Sequence, residues 1–209
     1  GTVCAIMLEF VQGEGGVIAL DKDYVKQIAE ICADNDILFI ADEVQTGVGR
    51  TGTFYSYQQF GIQPDLVSSA KGLGGGLPIG AVLFGEKTQD TLIPGDHGST
   101  FGGNPVVCAG AVEVLNRMDD TFLQNVTAKG RHMREEIEKM PHVTSVAGMG
   151  MMLGIELDID VKPVVTALME NGLLVLTAKH KMRLLPPLNI AQTELEKGLS
   201  ILKNTLAAL

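Results

Sequence analysis

At 209 residues, 45% apolar and 20% charged, the chain can bury one sizeable domain or two small ones and falls in the ordinary globular range. A net charge of −9 and a pI near 4.9 argue against nucleic acid or an anionic membrane surface as partner. No apolar run approaches the length of a transmembrane helix, and no basic segment precedes an apolar one as in a signal peptide.

In chain order, "VCAIMLEF" (3–10) reads as a buried strand, followed by the glycine-rich loop "VQGEGG". "DKDYVKQIAEICADND" places Val25, Ile28, Ile31 and Cys32 at helical spacing, with acidic residues at its start. The apolar run 37–41 predicts a strand buried on both faces, and the β-loop-α-β order favours a parallel pair. "PDLVSSAKG" predicts a short strand ending at Lys71, and "PIGAVLFG" (78–85) another. "NPVVCAGAVEVLNRM" reads as a helix with Asn104 as N-cap and Pro105 at its first position. A second, more amphipathic helix follows from 121 to 140.

Beyond it "VTSVAG" and "MMLGIEL" read as strands, and "VKPVVTALMENG" as a helix closed by Gly172. "LLVLTA" and "MRLLP" are short strands, and a capping box of Thr193 and Glu196 opens the final helix. A domain boundary is expected near 118, giving segments 1–117 and 118–209. The chain opens directly on a strand without an initiator Met, so a C-terminal portion of a longer protein is expected. Cys4, Cys32 and Cys108 lack metal-like spacing and read as small buried hydrophobes suited to a reducing cytosol. The four histidines also lack metal spacing, and no metal is expected. Met149, Met151 and Met152 read as core filling.

The chemistry concentrates at strand ends. Open α/β sheets bind ligands at the carboxyl ends of their strands, where Asp42 and Lys71 are expected. Such a pair could be a plain salt bridge. Yet a Lys in "SSAKGLGGG" is easily desolvated, which frees its lone pair to attack a carbonyl. A carboxylate against a heteroaromatic nitrogen keeps that nitrogen protonated. Together they meet the needs of pyridoxal phosphate. "GDHGSTFGGNP" offers Ser99, Thr100, glycine amides and the Asn104 helix start as an anion site, or simply a capped turn.

"ADEVQTGVGRTG", "PDLVSSAKGLGGGLPIGAVL" and "HGSTFGGNP" together resemble the class III pyridoxal-phosphate aminotransferases. "LEFVQGEGG" and "RLLPPLNI" fit the same family, in order along the chain. The resemblance implies a fold type I, α/β architecture: part of a mostly parallel-sheet large domain, then a small α+β domain. It implies pyridoxal 5'-phosphate as cofactor, with Lys71 and Asp42 catalytic and Asp42, Glu43, Val44, Gln45, Lys71 and Thr100 as cofactor contacts. Lys71 would carry the cofactor and shuttle the proton, Asp42 would pair with the ring nitrogen, and Val44 would pack on the ring. Gln45 would reach the phenolic oxygen, and Thr100 the phosphate of the partner subunit in a homodimer.

Ser99, Glu14 and Arg183 would bind substrate, Arg183 clamping the α-carboxylate and Glu14 masking it in turn, with Glu9 a supporting carboxylate. "GVGRTG", "AKGLGGGLPIGA" and "LLPPLNI" favour transfer of the terminal amino group of N-acetylornithine to 2-oxoglutarate, a step of arginine biosynthesis. Ornithine, succinylornithine and 4-aminobutyrate are the alternative donors, and a silent oligomerisation module is the alternative role. Family members are considerably longer. Their Gly-Thr phosphate loop, ring-stacking aromatic and additional substrate Arg precede the segment present here.

Overall fold

The computed structural model describes all 209 residues. The chain divides into two compact units. The first comprises Gly1–Phe10, Leu20–Gly49 and Thr53–Phe122; the second comprises Val11–Ala19, Arg50–Gly52 and Leu123–Leu209. The division therefore falls between Phe122 and Leu123, a little beyond the expected 118. Two short early segments also belong to the second unit, which sequence periodicity gave no means of seeing.

In the first unit a four-stranded sheet has the order β1-β4-β5-β6. Its strands are β1 (Ala5–Glu9), β4 (Leu38–Asp42), β5 (Leu66–Ser69) and β6 (Ala81–Phe84). The pairs β1/β4 and β4/β5 are parallel, while β6 closes one edge antiparallel to β5. α1 (Lys22–Asp34) connects β1 to β4, and Asp21 caps it by accepting from the amides of Asp23 and Tyr24. α2 (Pro105–Leu115) starts on Asn104, whose side chain accepts from the amides of Val106 and Val107. Phe10 packs on Phe60 and edge-on to Phe39, with centroids 5.0 and 6.3 Å away. A second apolar cluster joins Val48, Leu73 and Ala111.

The full burial expected of the first strand is not found. β1 lies at a sheet edge, so Met7 is 53% exposed and Cys4 just before it is exposed. Only Cys32 behaves as a buried hydrophobe; Cys108 is half-buried.

The second unit holds the hairpin β2 (Val11–Gln12) and β3 (Ile18–Ala19) and an antiparallel sheet of order β7-β8-β10-β9. That sheet comprises β7 (Val143–Met149), β8 (Met152–Leu157), β9 (Leu176–Ala178) and β10 (Lys181–Leu184). The sheet is accompanied by α3 (Asp120–Ile137), whose first residues lie before the division, and by α4 (Val161–Glu170) and α5 (Gln192–Ala207). α5 buries Leu195, Leu199, Leu202 and Leu206, one stripe at helical spacing. Met151 and Met152 are fully buried, Met152 beside Val11, Val17 and Ala178.

The expected capping box does not form. α5 begins after Ala191, which places Thr193 inside the first turn, and no side chain caps the helix. Glu196 is drawn off instead by the ring nitrogen Nε2 of His132 at 2.7 Å and by the Gln192 amide at 2.6 Å.

Candidate active site

β4 runs apolar to its last residue and then delivers Asp42. In register, Asp42 lies beside Glu9 of β1 on one side and Ser68 of β5 on the other. Parallel pairing thus brings three polar residues to the carboxyl end of the sheet. The half-buried Asp42 carboxylate has two local donors on one oxygen, Oδ1: the Val44 amide at 3.0 Å and the Ser68 hydroxyl at 3.2 Å. Those contacts are both directed at Oδ1.

Glu43 points the other way. It is completely buried, with Oε1 accepting from the Ser56 hydroxyl (2.7 Å) and the Tyr57 amide (2.8 Å). Its Oε2 accepts from the Thr46 hydroxyl at 2.6 Å. The Glu43 carboxylate, expected as a cofactor contact, is here engaged with three donors of the loop after β4. Burial, with Glu43 and Tyr55 adding to it, also raises the Tyr57 phenol above its ordinary value. Gly47 completes this loop, because a Cβ there would meet the Glu43 carbonyl at 2.7 Å. Val44 and Gln45, the next expected cofactor contacts, are half-buried on the same loop.

Lys71 follows β5 by two residues and stands exposed, so the desolvation expected of it is not found in this chain. Its backbone is left-handed, with φ +44°, an uncommon conformation for a residue with a side chain. Ser99 and Thr100 are exposed on the long loop before α2. The α2 start contributes less to an anion site than its sequence implied, since Asn104 already occupies the Val106 and Val107 amides.

The second unit contains the other expected residues. Arg183, on β10, donates from Nη1 to Glu14 Oε1 at 2.7 Å. The two ends of this pair differ: the Arg183 side chain is 8% exposed and that of Glu14 is 73% exposed. Arg183 also lines an apolar cleft of about 300 Å³ with Leu174, Leu176, Leu184, Leu199 and Leu202. The pair thus sets a buried cation against an exposed carboxylate on a glycine loop.

Two contributors escaped the sequence reading. Ser68 was visible only as strand, although its position opposite Asp42 follows once the register is known. Arg50, within "GVGRTG", donates to the carbonyls of Pro186 (2.6 Å) and Met151 (3.2 Å). It thereby fastens the segment after the Arg183 strand to the β7–β8 turn. Burial lowers its pKa to about 10, which still leaves the guanidinium charged at neutral pH.

The Aminotransferase class-III family matches residues 1–206. This chain belongs to the class III aminotransferases. It is 52% identical over 207 residues to the acetylornithine aminotransferase of Haemophilus ducreyi, covering 98% of this chain and 53% of that protein. Its identity to the acetylornithine aminotransferase of Caldanaerobacter subterraneus is 45% over 212 residues, covering 98% and 54%. The chain spans about half the length of the curated relatives it matches.

Among solved structures, N-acetylornithine aminotransferase from Stenotrophomonas maltophilia superposes with a TM-score of 0.89 at 36% identity, covering 99% of this chain and 57% of that one. Ornithine aminotransferase from Toxoplasma gondii gives 0.91 at 35% identity, covering 98% and 51%. The fold is the type I fold of these aminotransferases. Class III aminotransferases depend on pyridoxal phosphate. The first unit's own geometry fits that group: an exposed amine and a carboxylate with one oxygen pinned share the carboxyl end of adjacent parallel strands.

Proposed function

We propose that this class III aminotransferase segment carries the lysine half of a pyridoxal-phosphate site, used in the whole protein to move the terminal amino group of N-acetylornithine to 2-oxoglutarate. The observation that carries the reading is the delivery of Asp42 and Lys71 by β4 and β5, adjacent parallel strands, to one end of one sheet.

When bound, the cofactor supplies an electron sink for the carbon that bears the amino group. Lys71 would hold it through its amine and would move the proton at that carbon. Asp42 keeps the ring nitrogen protonated, as an opposed carboxylate favours the charged form. Val44 would lie against the ring, Gln45 would reach the phenolic oxygen, and Thr100 would bind phosphate across a homodimer, with Ser99 at the substrate end. Arg183 offers a planar fork to the α-carboxylate of the keto-acid acceptor, and Glu14 covers that fork when the side-chain amine reacts. Cys4 exposed and unbridged suits a cytoplasmic setting.

The test is glutamate production by the chain with pyridoxal phosphate and 2-oxoglutarate, offered N-acetylornithine, ornithine, succinylornithine or 4-aminobutyrate. N-acetylornithine as the preferred donor is expected. Preference for ornithine, the donor named for the Toxoplasma gondii neighbour, would move the assignment within the family. A second reading, a catalytically silent module, draws support from the chain spanning 53% of its Haemophilus ducreyi relative. Absence of turnover with every donor would favour it.

A further inference from the structure

We propose that Ser68 is the positioning residue that aims Asp42 at the cofactor's ring nitrogen, an assignment that rests on the cofactor reading above. Asp42 is the last residue of β4, and the interstrand bond beyond it, from the Glu43 amide to the Ser68 carbonyl, holds the backbone but not the Asp42 side chain. Its Oδ1 accepts from the Val44 amide, a contact that an aspartate at a turn makes with its own backbone two residues on. That bond alone leaves the carboxylate free to swing about one anchor.

The Ser68 hydroxyl supplies a second anchor on the same oxygen, from a different strand. The register Asp42↔Ser68 places it there, and the Ser68 carbonyl also accepts from the Glu43 amide at 3.0 Å, so the donor is itself held by the ladder. Two donors from two elements fix the orientation of the carboxylate and turn its remaining oxygen outward. The neighbouring serine provides a contrast within the same strand. Ser69 is 2% exposed, points to the other face by strand alternation, and its buried hydroxyl has no hydrogen-bond partner. Only Ser68 is engaged. Since Lys71 follows three residues later, one short segment supplies both the amine and the alignment of its acidic counterpart.

The experiment compares affinity for pyridoxal phosphate with affinity for the deaza analogue in which carbon replaces the ring nitrogen. It uses the unmodified chain, Ser68→Ala and Ser68→Thr, each with its thermal midpoint. The unmodified chain should prefer pyridoxal phosphate. Ser68→Ala should cut that preference by about tenfold or more, the scale of one hydrogen bond to a charged group. Ser68→Thr should restore it.

An equal loss of affinity for both compounds in Ser68→Ala would show a merely structural role and overturn the proposal, as would an unchanged preference. If the unmodified chain shows no preference at all, the Asp42–nitrogen reading itself fails, and the assignment of Ser68 fails with it.

Discussion

Lys71 holds a conformation that most residues avoid. At φ +44° its Cβ crowds the following carbonyl, which costs on the order of 1–2 kcal/mol for an L-residue. Glycine carries no such cost, so Lys71→Gly should be more stable than Lys71→Ala by about 1 kcal/mol in urea denaturation, although glycine usually destabilises. Equal stabilities, or Ala the more stable, would contradict the strain at this residue. Glu14 makes a second case. Its side chain is 73% exposed but that of its partner Arg183 only 8%, so Glu14→Ala takes this carboxylate from a buried cation and should destabilise the protein by about 1–3 kcal/mol in urea denaturation. The same change uncovers Arg183 and should tighten 2-oxoglutarate binding, measured by titration calorimetry. Weaker binding would contradict the role of Glu14 as a cover.

Elements explain what sequence could and could not disclose. The apolar run into Asp42 was legible as a parallel strand, although only Phe39 and Ala41 on one face are buried and Leu38 and Ile40 on the other are half-buried. The Asn104–Pro105 start of α2 was legible for a local reason: cap and helix lie within four residues. Glu43 was not. Its partners Ser56 and Tyr57 come from a later part of the loop, and nothing local separates a cofactor carboxylate from one buried on three donors. Ser68 waited on strand register, and Thr193 and Glu196 were misread because His132, distant in sequence, competes for the glutamate.

The second unit offers a further element-scale test. A Cβ at Gly130 of α3 would collide with the Gly150 backbone at the β7–β8 turn, where Gly150 itself has φ +53°. Backbone cannot retreat as a side chain can. Gly130→Ala should therefore destabilise this unit by roughly 1–3 kcal/mol in denaturant unfolding, and a neutral result would refute the close approach.

On the scale of the whole molecule, the first unit leaves much apolar surface uncovered. Val82, Leu83 and Phe84 of β6 are 56%, 42% and 41% exposed, and on the loop before α2 Ile93 and Phe101 reach 65% and 83%. β6 is also a free sheet edge. Surfaces of this kind pair with another chain, so the protein should scatter light as a dimer or larger assembly. A monodisperse monomer would contradict that expectation.

The central claim concerns Lys71. Pyridoxal phosphate added to the purified chain, followed by borohydride reduction and peptide mass spectrometry, should yield a pyridoxyl adduct concentrated on Lys71 and absent from Lys71→Ala. Adducts spread evenly over the exposed lysines, with no excess at Lys71, would contradict it.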